Sequence, residues 1–121
     1  METAGTILRD FYAAIEGRDL TKARSYLADD MVYQGIFKTF PSADDYMAVF
    51  KSFMEFTTRL DVKLVLSEGE NAVIFYEMET TKPAQAVTFV GEWHRVRNGK
   101  IVWARAACDG RPFAALFPSE S

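Results

Sequence analysis

FVGEWHRVRNGKIVWARAACDG, residues 89–110, has the tempo of a β-hairpin and holds the chain's one histidine, its one cysteine and both tryptophans. Asn98-Gly99 is a strong hairpin signal, because both residues tolerate the positive φ angles of a tight turn. Two geometries compete. A two-residue turn pairs Arg97 with Lys100 and sets Glu92 opposite Arg105, a plain salt bridge. A three-residue turn with Gly99 in a bulge pairs Val96 with Lys100. Glu92 then lies opposite Ala104, His94 opposite Val102, and Trp93 opposite Trp103. The bulged turn is preferred. It gathers Glu92 and His94 with Val96, Val102, Ala104, Ala106 and Cys108, leaving space beside the carboxylate, and it stacks the tryptophans on the other face. Periodicity alone does not choose between the two.

The preceding strand extends this pattern. If Thr80 pairs near Thr88, Tyr76 stands opposite Glu92 and Ile74 opposite His94. Tyr76, Met78 and Thr80 then line a concave face. Val73, Phe75, Phe89, Trp93 and Trp103 form an apolar convex patch, whose simplest partner is a second copy of the chain.

Outward from the hairpin, helical spacing of Ile7, Leu8, Phe11, Tyr12 and Ile15 predicts a first helix ending at Gly17. Asp19 caps a shorter second helix carrying Leu20, Ala23 and Leu27. Ser42 and Asp45 open a third, with Tyr46, Val49, Phe50 and Phe53 on one apolar face. "MVYQG" reads as a short strand, and from Asp61 onward the chain is strand-like. Helices followed by a meander of long antiparallel strands predict an α+β domain, one compact unit over residues 1–121.

The chain has 121 residues and a net charge of -3, so no basic stripe invites nucleic acid. One cysteine leaves no internal disulfide, and one histidine does not build a multi-histidine metal site. No apolar run approaches the roughly 20 residues of a membrane span. The start "METAGTILRD" lacks a secretory pattern, so a cytoplasmic protein is expected. Aromatic residues reach 14%, which suggests a ring-lined cavity or a buried association surface.

"LRDFYAAIEGRDLTKARSYLADDMVYQG" and "EWHRVRNGKIVWARAACDGRPFAAL" together resemble the nuclear transport factor 2-like superfamily, close to its SnoaL-like proteins. The resemblance covers nearly the whole chain. It implies a cone-shaped, cystatin-like fold: a strongly curved, mostly antiparallel sheet wrapped around three N-terminal helices, with a pocket at the open end. It also implies homodimers packed through the sheet, here through Phe75, Phe89, Trp93 and Trp103. The superfamily hosts isomerases, cyclases, hydrolases, dehydratases and non-enzymatic binders.

Residue by residue, the ketosteroid isomerase tyrosine falls on Phe11 and the base on Gly35, which removes both groups. The oxyanion-stabilising acid falls on Glu92. A ketosteroid isomerase is therefore disfavoured. The general acid/base of SnoaL-type cyclases falls on Asp109, which has the alternative role of closing a turn. Burial among rings is expected to raise the Glu92 pKa and fit it for proton transfer near neutral pH. His94, Glu92 and Tyr76 would bracket one small substrate, with Asp109 at the rim; Cys108 lies too far from His94 for a cysteine–histidine nucleophile. Tyr12, Tyr33, Tyr46, Phe50, Phe53, Met78, Ala104, Ala106 and Cys108 are the expected ligand-binding wall. The expected function is a pocket for a small hydrophobic molecule, resembling the cyclases and isomerases, with acid/base chemistry and neither cofactor nor metal. The alternative is a non-catalytic binding or dimeric interaction domain.

Overall fold

A computed structural model describes residues 3–116. Helix α1 (Ala4–Glu16) starts where the Thr3 hydroxyl accepts from the Thr6 amide, and it buries Ile7, Leu8, Phe11, Tyr12 and Ile15. Beyond Gly17, the Arg18 guanidinium donates to the carbonyls of Met54 and Thr57 at 2.7 and 2.8 Å, tying α1 to the end of the third helix. Helix α2 (Leu20–Arg24) is capped by Asp19. Helix α3 (Ala43–Glu55) is capped by Ser42, whose hydroxyl accepts from the Asp45 amide.

The strands are β1 (Leu27–Gln34), β2 (Thr39–Phe40), β3 (Thr57–Glu68), β4 (Asn71–Thr80), β5 (Ala86–Arg97) and β6 (Lys100–Cys108). They form one sheet in the order β2-β1-β6-β5-β4-β3. Every neighbouring pair is antiparallel except β1 with β6, which is parallel. This is the expected α+β architecture. Two strands begin earlier than their patterns suggest. Leu27, expected on the second helix, instead opens β1, since α2 ends at Arg24 and Asp29 and Asp30 occupy exposed strand positions; β3 opens at Thr57 because its alternation is broken by two register shifts.

The hairpin departs from the expected turn. Arg97 pairs with Lys100, and Asn98 and Gly99 both have positive φ, 51° and 73°. The turn is therefore the two-residue kind, not the bulged one. The bulge lies further along, at Val102: Val96 pairs with Ile101 but Arg95 pairs with Trp103. From there Glu92 faces Ala106, His94 faces Ala104, and Trp93 faces Arg105 rather than Trp103. The two indole rings still meet edge to face at 4.6 Å between centroids. Without the extra residue, the alternation set by Ile101 would turn Trp103 and Arg105 inward, and burying an unpaired guanidinium is costly. The bulge turns both away and brings Ala104 and Ala106 in, so Glu92 faces the interior although the turn is tight. β4 is shifted by two residues from the expected register. Thr80 pairs with Ala86 and Tyr76 with Val90, while Ile74 stands opposite Glu92. A two-residue shift preserves the face, so Ala72, Ile74, Tyr76, Met78 and Thr80 are all buried on the concave side.

Candidate functional site

Glu92, in the middle of β5, is 2% exposed, and His94 beside it is fully buried. Alternation along β5 puts both on the concave face, where Tyr12 of α1 packs against them. Four donors converge on the carboxylate. The Tyr12 hydroxyl, from α1, donates to Oε1. His94 Nε2 lies 2.8 Å from the same oxygen, and an ionised carboxylate only accepts, so Nε2 carries the hydrogen. The hydroxyls of Tyr76 and Tyr33 donate to Oε2 at 3.0 and 3.3 Å. A carboxylate offers about four lone-pair sites, and each oxygen here meets two donors.

The electrostatics follow from this shell. Burial is the largest single influence on Glu92 and pushes its pKa up. The hydrogen bond and charge of His94, with the hydrogen bonds of Tyr12 and Tyr76, together outweigh it, and the carboxyl ends below its ordinary value. The expected rise is thus corrected: the surrounding rings are tyrosines whose hydroxyls point donors at the acid. Tyr12, Tyr33, Tyr46 and Tyr76 are all held well above the ordinary phenol value, first by burial and then by the Glu92 charge. They remain hydrogen-bond donors at neutral pH.

Glu92 forms part of the inner wall of a cavity of about 110 Å³ between α3, β1, the concave sheet and the 3-10 turn at Arg111–Leu116. Tyr33, Tyr46, Phe50, Phe53, Met78, Ala106 and Cys108, all expected in the wall, line it, as does Tyr76. Missing from the expected wall are the loop residues Gly35–Lys38, together with Phe40, Val49, Val90 and Phe113. The apolar periodicity of α3 pointed to Val49, but the loop carries no periodic signal.

Other expected site residues lie elsewhere. His94 and Tyr12 stand behind Glu92 and do not line the cavity, so His94 positions the acid rather than bracketing a substrate with it. Ala104, opposite His94, is fully buried in the core and also off the wall. Asp109 is exposed and outside the cavity lining. Its carboxylate accepts from both the backbone and the guanidinium of Arg111, which hold its pKa down at about 2. That is the turn-closing arrangement. Cys108 lines the cavity half-buried, its thiol pKa raised by burial and by the nearby carboxylates. Tyr12, one residue beyond Phe11 on α1, brings a hydroxyl to Glu92. Among the described residues no cluster of three or more potential ligands could hold a metal ion.

The SnoaL-like domain profile matches residues 8–104, which span α1 through the middle of β6. The chain belongs to the SnoaL-like domain family. Solved structures agree on the fold. A protein from Kribbella flavida aligns with a TM-score of 0.82 at 23% identity, over 90% of this chain and 88% of that one. IdmH, a proposed polyketide cyclase from Streptomyces antibioticus, gives 0.78 at 15% identity, over 94% and 97%. An LEH-like epoxide hydrolase of M. tuberculosis gives 0.77 at 16%, over 97% and 92%. No curated protein sequence matches at a significant level. Within this SnoaL-like domain no described helix is long and apolar enough to cross a membrane.

The shell predicts a graded response to losing single hydroxyls. Tyr76→Phe removes a buried 3.0 Å bond to a charged acceptor and should cost about 1.5–3 kcal/mol. Tyr33→Phe removes a longer, part-buried one at 3.3 Å and should cost less, about 1 kcal/mol. Urea denaturation of the two variants measures the difference; equal losses would contradict the geometry.

Proposed function

We propose that the cavity binds a small, largely apolar molecule and that Glu92 is its general base, taking a proton from that molecule without a cofactor. The observation that supports this most is a carboxylate fixed by four hydrogen-bond donors in the wall of a largely apolar cavity. A base held in place inside an apolar cavity reacts without the cost of shedding water at the moment of proton transfer. The cyclase and epoxide hydrolase names of two proteins of this fold are compatible with such chemistry. A second reading, non-catalytic binding, is favoured by one specific feature: every lone-pair direction of Glu92 already has a donor, and its lowered pKa weakens it as a base.

A small fused-ring probe separates the two. 5-Nitrobenzisoxazole loses its ring C–H proton to a general base as its N–O bond breaks, giving a coloured cyanophenolate. Catalysis predicts acceleration over buffer and an at least hundredfold loss in Glu92→Gln. Occupancy is followed independently through Cys108, the chain's only cysteine, whose alkylation by N-ethylmaleimide should slow when the cavity is filled. Protection without acceleration leaves the binding reading. Absence of both defeats the proposal.

We also propose that the convex face joins two copies of the chain. Leu64, Leu66, Val87, Phe89 and Trp93 are all exposed there, and Phe75 stacks on Phe89 with 5.8 Å between ring centroids. Contiguous exposed apolar side chains of this kind favour a covering partner.

A further inference from the structure

Two features of the cavity wall remain unused by the contacts within the chain. The Tyr46 hydroxyl is buried, belongs to a residue lining the cavity, and has no hydrogen-bond partner among the described residues. The neighbouring Tyr12 hydroxyl spends its own hydrogen on Glu92, so it offers Tyr46 at most a weak acceptor. Buried hydroxyls are nearly always paired, so a lone one in a cavity wall marks a place where a partner is expected. The second feature is the weakest member of the Glu92 shell. Tyr33 reaches Oε2 at 3.3 Å, the longest of the four hydrogen-bond contacts, and is the only one of the four donor residues that is not fully buried. Its ring stacks on Tyr46 at 4.3 Å between centroids. The cavity thus holds one idle donor and one acceptor whose occupant is replaceable.

Resting on the reading of the cavity as a ligand site, we propose that its ligand carries a neutral polar head with a hydrogen-bond donor and acceptor side by side. A primary amide or a hydroxy-carbonyl has this form. The head's acceptor takes the Tyr46 hydroxyl, and its donor replaces Tyr33 at Glu92 Oε2. Such a head satisfies both groups. A carboxylate at Oε2 meets the Glu92 charge and is repelled there, and the cation in the wall, Lys38, belongs to the Gly35–Lys38 loop rather than to the Glu92 shell. An ammonium pairs with Glu92 but leaves Tyr46 unpartnered. A hydrocarbon leaves both as they are. The cavity of about 110 Å³ is of the order that accepts one ring, since a dry cavity of ~150 Å³ holds benzene.

The test is calorimetric titration with four probes sharing one ring and a two-atom arm: phenylacetamide, phenylacetate, phenethylammonium and ethylbenzene. The amide should bind at least tenfold tighter than each of the others. Tyr46→Phe should remove about tenfold of the amide's affinity and leave that of ethylbenzene unchanged. Should ethylbenzene bind as tightly as the amide, or Tyr46→Phe leave their ratio intact, the head-group inference falls while the cavity reading stands. Tightest binding by phenethylammonium would replace it with recognition of a cation by Glu92. Binding of none of the four overturns both readings together.

Discussion

Glu92→Leu is expected to cost about 3–5 kcal/mol of stability, the usual penalty for removing one partner from a buried charged network. The leucine would leave the hydroxyls of Tyr12 and Tyr76 and the Nε2 hydrogen of His94 facing no acceptor. Each such buried donor costs about 1–3 kcal/mol, and the losses are not additive because the side chains relax together. Domains of this size have roughly 5–15 kcal/mol in hand, so the variant should be marginal, with a clearly lowered urea midpoint. Glu92→Gln keeps the size and one accepting oxygen and should lose less, about 1–3 kcal/mol. The pH dependence has a definite sign. Because the folded-state pKa of Glu92 lies below its ordinary value of 4.5, its ionisation stabilises the fold fully above that pH. The contribution fades as pH falls through the folded-state value. The stability gap between wild type and Glu92→Gln should therefore be constant from pH 6 to 8 and narrow only in acid. A gap that narrows between pH 5 and 7 would mean a raised pKa and a different site.

The second large effect is expected on the convex face. Phe89→Asp combined with Leu66→Asp should convert a dimer to a monomer at micromolar concentration. In a two-fold interface each substitution occurs twice, and buried aromatic anchors are worth about 2 kcal/mol or more each. A loss on the order of 4 kcal/mol is roughly a thousandfold in Kd. Both side chains are 57% exposed in the single chain, so its folding should change little. Light scattering should give twice the chain mass for wild type and a single chain mass for the variant. A monomeric wild type would refute the proposed association.

The hairpin shows how far the sequence could be followed and where it stopped. Asn98-Gly99 announced the turn, and alternation along β5 put Glu92 and His94 on one side whichever turn formed. What the pattern hid was the bulge. Ile101, Val102 and Trp103 form a continuous apolar run, so one residue more or less leaves no visible break, and the side chains of β6 depend on it. The inward position of Ala104 and Ala106 was therefore anticipated through the wrong device. Tyr12 was obscured differently. One residue along a helix turns a side chain by about 100°, yet α1 buries Phe11 and Tyr12 alike. Matching positions one for one credited the role to Phe11, while the hydroxyl that reaches Glu92 is next to it. Tyr76 and Tyr33 follow strand alternation and were legible as wall residues. Their joint effect on the charge of Glu92 was not, because it depends on where hydroxyls point rather than on how deeply the acid lies.

That charge is the centre of the account, and one titration reads it: the carbon-13 carboxyl shift of Glu92 against pH, assigned by its disappearance in Glu92→Gln. The tyrosine and histidine shell predicts an ionised carboxylate throughout neutral and mildly acid solution, titrating only below pH 4.5. A midpoint above that value would contradict it, showing that burial prevails over the four donors.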